Sequence, residues 1–193
     1  GAAASDAWGW LVGLGVLAGI PIVLTTVGAR SHGALDNASG VTVVVGAALA
    51  LPPDAAIGVL LTSAEELGLA GARAWARTRE GGVAINGDGV DDVGRATLMY
   101  SGPAPRRVIA AFAGEARVRQ LVPGILTDGV ALADAGWEVV TLSRGSWTSL
   151  LRVHRPADDL LHLQGDCLDE TAHTVAEATR RLLTHRGAAE GER

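Results

Sequence analysis

The sequence contains no lysine; its 16 basic residues are all arginine, set against 21 acidic ones for a net charge of −5. A chain of that sign offers no electrostatic footprint for a phosphate backbone, so nucleic acid is excluded as a partner. Cysteine is nearly absent as well. Cys167 stands alone, which rules out an intrachain disulfide and a thiolate metal cluster; beside Asp166 it reads as a packing residue rather than a nucleophile. No segment repeats. The first residue is Gly1 rather than methionine, so a fragment or a processed product is expected. What remains is a chain of 193 residues, 48% hydrophobic, enough for one α/β domain with a real core.

Charge is missing altogether from Trp8 to Val27, close to the ~20 apolar residues that cross a bilayer as a helix. Trp8 and Trp10 sit at one edge, as interfacial aromatics do. Gly9, Gly13, Gly15 and Gly19 give small-xxx-small spacings that suit close helix approach. Pro21 would kink such a helix, which a bilayer tolerates. A transmembrane helix and a membrane-associated protein are therefore expected. The opposing reading is a buried segment of the globular core. Residues 1–29 form the apolar segment of this plan, 30–185 an α/β domain, and 186–193 a structureless tail.

After a polar, turn-rich stretch from Arg30 to Gly40, Val41 to Leu51 is apolar throughout. It reads as a helix buried on most sides, with Ser39 as its cap and Pro52-Pro53 as its stop. Ala56 to Thr62 reads as a buried strand. It hands over at Glu65-Glu66 to a helix from Leu67 to Thr78. Val83 to Gly89 and Thr97 to Tyr100 are expected strands. Arg107 to Phe112 is either a strand or the start of a helix. Val122 to Ala135 reads as a helix broken by Pro123-Gly124, and Trp137 to Leu142 as a strand. A last amphipathic helix carries Leu168, Val175 and Leu182 on one face. Strands alternating with helices predict an α/β fold, a layered and largely parallel sheet with helices on both faces.

Such a sheet gathers its loop residues at one edge, and the polar residues of interest fall in those loops: Asp36, Glu65, Glu66, Asp88 and His154. Each alone has a plainer reading. Asp36 and Asp88 suit turns, His154 a surface, and Glu65-Glu66 a solvated pair at a helix N-terminus. Together they are carboxylates plus one imidazole, the donor chemistry of a hydrolytic zinc site.

Four ordered blocks carry a resemblance. They are Gly33-Ala34-Leu35-Asp36-Asn37-Ala38-Ser39-Gly40, then Thr62-Ser63-Ala64-Glu65-Glu66-Leu67-Gly68-Leu69 with Gly71-Ala72-Arg73, then Ile85-Asn86-Gly87-Asp88, and finally His154-Arg155-Pro156-Ala157-Asp158. From Gly33 to about Leu183 the chain resembles the zinc exopeptidases that include bacterial leucine aminopeptidases and related carboxypeptidases. The resemblance implies a peptide substrate and two zinc ions. Asp36 would bridge them, Glu66 and His154 would complete one, and Asp88 would bind the other. Glu65 would be the general base, taking a proton from an activated water and passing it to the leaving amine. Two cations would also offset the repulsion among the clustered carboxylates.

The departures bear on the same site. The family's His-x-Asp motif, whose histidine completes the second ion's shell, has no counterpart before Asp36; the one histidine upstream is His32. Thr127-Asp128-Gly129 stands where relatives often have Ser-Asp-His, and Arg155 and Asp159 replace threonines beside the histidine. The chain resembles a membrane-bound relative cut within an insert. Two further readings stay open. One is a single-zinc, glutaminyl-cyclase-like transferase using Asp36, Glu66 and His154. The other is an inactive relative used for binding or scaffolding.

Overall fold

The computed structural model describes residues 8–19, 30–122 and 124–191, with backbone alone over 185–191. Four strands form one sheet: β1 (Val83–Val90), β2 (Arg95–Tyr100), β3 (Arg117–Gln120) and β4 (Glu138–Gly145), in the order β1-β4-β2-β3. β1 runs parallel to β4, with Ile85 opposite Val140, and β2 parallel to β3; β2 meets β4 antiparallel, with Leu98 opposite Leu142. The sheet is thus mixed, with two of its three pairings parallel.

The helices are α1 (residues 8–19), α2 (Gly40–Leu49), α3 (Ala70–Ala76), α4 (Arg106–Ala111), α5 (Asp128–Asp134), α6 (Trp147–Leu150) and α7 (Gly165–Gly191). Alternation along β4 assigns them to two faces. Val140 and Leu142 join a core with Val43 and Ala47 of α2, Val108 of α4 and Val175, Ala176 and Leu182 of α7. Val139 points the other way, onto Ala76 of α3 and Leu132 of α5. Trp75 and Trp137 close that second layer with ring centroids 5.2 Å apart. The expected α/β architecture with helices on both faces is what forms.

Several expectations change. Ala56 to Thr62 is not a strand: it pairs with none of the four, and most of it is exposed, Leu61 at 58%. Among the described residues, no backbone hydrogen bond engages 58–62. An apolar β-branched run reads the same in sequence whether or not a neighbouring strand lies within reach. β3 escaped notice for the opposite reason, since Arg-Val-Arg-Gln is short, charged and exposed. Arg107 to Phe112 resolves as helix, α4. α2 buries only one face, on Gly40, Val43 and Ala47, leaving Leu49 exposed. Ser39 does not cap it; its hydroxyl serves the turn described below. The stretch expected to be helical from Val122 narrows to α5. α7 continues through 186–191, where a structureless tail was expected; Ala188, Ala189 and Glu190 are good helix formers.

The expected membrane span from Trp8 to Val27 falls in part outside the described residues. Among the described residues no helix is long and apolar enough to cross a membrane. The described part of it, α1, covers residues 8–19 and is exposed almost throughout, and residues 20–29 lie outside the described structure.

Candidate metal centre

The site grows from three loops that the sheet brings to one place. The first is the Ala34–Ser39 turn, entered at Gly33 with a φ of 67° and containing a cis Asp36–Asn37 peptide bond. Its side chains hold it to the end of β1. Asn37 donates to the Gly87 carbonyl at 3.0 Å and accepts from the amides of Gly40 and Gly89, each at 3.1 Å. The Ser39 hydroxyl donates to the Leu35 carbonyl at 2.6 Å and accepts from the Val90 amide at 2.8 Å. Gly40 has no alternative, because a Cβ there would overlap the Asn37 side-chain oxygen and the Gly87 carbonyl. Those bonds bracket Asp88 in sequence, so the Asp36 turn and the loop end of β1 are one unit.

The second loop carries Glu65 and Glu66. Ala64 and Leu69, both at positive φ, bracket it, and the Leu69 amide donates to the Glu65 carbonyl at 2.7 Å as the chain enters α3. The Gly71 amide donates to the Ser63 carbonyl at 3.1 Å, an approach so close that a Cβ on Gly71 would overlap that carbonyl. The third loop, after α6, presents His154 at a φ of 61°, an unusual conformation for a residue with a side chain. It is anchored on both flanks. Arg152 pairs with Asp91, a fully buried carboxylate, and also donates to the His162 carbonyl at 2.7 Å. Asp158 turns back onto the Asp36 turn, accepting from the Leu35 amide at 2.5 Å.

Three of the residues singled out by sequence converge. His154 Nε2 lies 2.5 Å from Glu66 Oε1 and 3.1 Å from Asp36 Oδ2. One ligand atom from each fits within 4.8 Å of the other two. An imidazole nitrogen with two carboxylates is a donor set that suits zinc, whose tetrahedral ligands sit about 2.0–2.2 Å from the ion. Glu65, Asp88 and Asp128 line the same cavity as Asp36 and Glu66, about 1080 Å³ in volume, but do not join the converging set. That cavity also borders the free edge of β1 and the unpaired segment 56–62. His32 is exposed and outside the set, while Asp159 is held below its ordinary value, first by its hydrogen bond with His162.

Crowding shows in the proton affinities. Burial pushes Glu65 up to about 7, and the charges of Glu66, Asp88, Asp36 and Asp128 add to it. Asp88 is likewise raised to about 7, by burial first and then by Asp36, Asp128 and Glu66. Asp36 is raised by burial too; His154 works against that shift, while Glu66 and Asp158 add to it. A cation among these groups would relieve the repulsion, so the electrostatics fit a metal as well as the geometry does.

Residues 23–179 match the family described as peptidase family M28. The chain belongs to peptidase family M28. Solved structures agree in fold. BSAP, a zinc aminopeptidase from Bacillus subtilis, is 23% identical with a TM-score of 0.63, over 77% of this chain and 42% of that one. A peptidase M28 precursor from Shewanella amazonensis SB2B is 24% identical with a TM-score of 0.54, over 80% of this chain and 38% of that one. An aminopeptidase from Aneurinibacillus sp. strain AM-1 is 19% identical with a TM-score of 0.51, over 63% and 32%. A search of curated proteins finds no significant match. The chain spans less than half the length of these solved relatives.

Some residues that build this M28 site were not singled out from sequence. Asn37 and Asp158 lay inside the quoted blocks without a role and Ser39 was expected only as a helix cap, since hydrogen bonds to Gly87, Val90 and Leu35 cannot be read from spacing. The Asp91–Arg152 pair had no signal. Gly129, noted as a departure, is packed against β4: a Cβ there would overlap the Thr141 hydroxyl, which is bonded to Thr127 at 2.9 Å.

Proposed function

We propose that this M28 chain is the metal-holding part of a zinc peptidase of the aminopeptidase kind, acting on peptides. The convergence of Asp36, Glu66 and His154 carries the reading. Bound there, zinc supplies Lewis acidity and lowers the pKa of a water toward about 7. The chain's own part is to hold and to move protons. Asp36 is fixed by its turn, His154 by its doubly anchored loop, and both aim their ring or carboxylate atoms at one point. Glu65 adjoins that point without belonging to it. As a carboxylate it can take a proton from water and return it to a leaving amine. Asp88 faces the same cavity and would serve a second ion.

The single converging set also favours a second reading, a one-zinc cyclase-like transferase. One experiment separates these. Zinc per chain is measured after dialysis against a weak chelator, alongside assays of aminoacyl-nitroanilide hydrolysis and of N-terminal glutamine cyclisation. One or two retained ions and hydrolysis that Glu65→Gln lowers at least ~100-fold, with zinc content unchanged, are expected. Cyclisation without hydrolysis would select the transferase. No retained zinc, or a Glu65→Gln variant as active as the parent, would sink both.

A further inference from the structure

Asp158 lies four residues beyond His154 and belongs to no set of converging ligands. It is nonetheless 1% exposed, and among the described residues it forms no ion pair. Burying a carboxylate is unfavourable unless donors surround it. Here the donors come from the far end of the domain. Oδ1 accepts from the Leu35 amide at 2.5 Å. Oδ2 accepts from the Asp36 amide at 3.3 Å and from the Ser31 hydroxyl at 3.2 Å. The Asp158 carbonyl accepts from the Ala34 amide at 3.5 Å, while its own amide donates to the Arg155 carbonyl at 3.0 Å. The bonds therefore run from the turn that bears Asp36 into the short loop that bears His154.

We propose that Asp158 is a positioning residue of the metal centre. Its carboxylate sets the separation of Asp36 and His154, so that both reach one ion without rearrangement. This rests on the reading of the site as a metal centre. Among the described residues, Asp36 and His154 come from segments with no other direct side-chain tie between them, apart from their own meeting at the site. A carboxylate that receives the amide of the ligand residue itself fixes the direction in which that ligand's side chain leaves the backbone. Partners of this kind around metal ligands are worth about 10–100-fold in metal affinity.

The test uses the full chain as parent, Asp158→Asn, and Val140→Ala, a truncation in the core of β4 away from the loops. Each is titrated with Co(II) as a spectroscopic probe and with zinc in competition with a chelator, and each is melted. Asp158→Asn is expected to lower affinity about 10–100-fold and to shift or weaken the Co(II) visible bands at saturation. Val140→Ala should lower the melting temperature while leaving bands and affinity as in the parent. Parent-like bands and affinity in Asp158→Asn overturn the proposal, as does an equal loss of metal in Val140→Ala. If Asp158→Asn does not fold, Ser31→Ala removes one donor to Oδ2. A smaller band shift in the same direction is then expected, and no change in bands or affinity overturns the proposal. A parent that takes up neither metal overturns the metal reading itself, which the variants alone cannot do.

Discussion

The Asp36 turn and the Glu65–Glu66 loop each deliver a carboxylate to the same point, yet they are held in different ways. Around Asp36, the side chains of Ser39 and Asp158 bind backbone groups of the turn, and those of Asn37 and Ser39 bind β1. The Asp36 side chain is 23% exposed. Glu66 is 61% exposed, on a loop closed by backbone bonds and preceded by a segment with no strand partner. A metal centre assembled this way is preorganised on one side and adaptable on the other. On the proposed reading, Asp36 and His154 would be the fixed ligands that define where an ion sits, and Glu66 would follow.

That contrast can be broken at several strengths. The largest effect should come from Asp36→Asn, which is expected to weaken zinc binding at least ~100-fold, about 2.7 kcal/mol, in a calorimetric titration. Glu66→Gln should cost less, because an exposed loop can readjust. Equal losses would show that the loop is as rigid as the turn.

Ser39→Ala comes next. It removes the hydroxyl between the Leu35 carbonyl and the Val90 amide, leaving a buried amide without its acceptor. About 1–3 kcal/mol of stability should be lost in urea unfolding. A loss under ~0.5 kcal/mol would mean the turn does not depend on its side-chain bonds.

A graded effect should follow from pH. Glu65 and Asp88 titrate near 7 in the folded chain, against ordinary values of 4.5 and 3.8. Between those limits the folded state binds more protons than the unfolded one, so metal-free stability is present at low pH and is lost as pH rises through about 7. The melting temperature of metal-free protein should therefore fall from pH 5 to pH 8 on the order of these shifts. Zinc should restore it most at the alkaline end. A flat profile without metal would remove the crowding argument.

The smallest effect belongs to the loose side. Leu61→Ser, on the unpaired segment, should change stability by no more than about 0.5 kcal/mol. A core-sized loss would show that this segment is covered in solution, and the comparison would have to be redrawn.

The two sides also differed in how legible they were. The blocks quoted from sequence contain Asp36, Glu66 and His154, which the structure brings together, and Glu65 and Asp88, which line the same cavity; their chemistry is local, since carboxylates with one imidazole have few uses. β1, β2 and β4 were readable as short runs rich in apolar and β-branched residues, and α7 from its seven-residue apolar spacing. Ala56 to Thr62 misled because hydrophobic pattern reports what a segment could pair with, and not whether a partner stands beside it. The charged strand β3 hid because it exposes every residue and so leaves no pattern at all. Ser39 was read as a cap from its position before a helix, while the fold turned its hydroxyl to Leu35 and Val90 instead.

The sequence by itself determined the donor chemistry, the family and the alternation of strands and helices, because these depend on residue type and short-range spacing. Only the tertiary structure decided which donors meet. Asp36, Glu66 and His154 converge through loops far apart in the chain, and Asp158 joins two of those loops across 122 residues. Contacts of that range depend on how the layers stack against the sheet, and no local pattern encodes them.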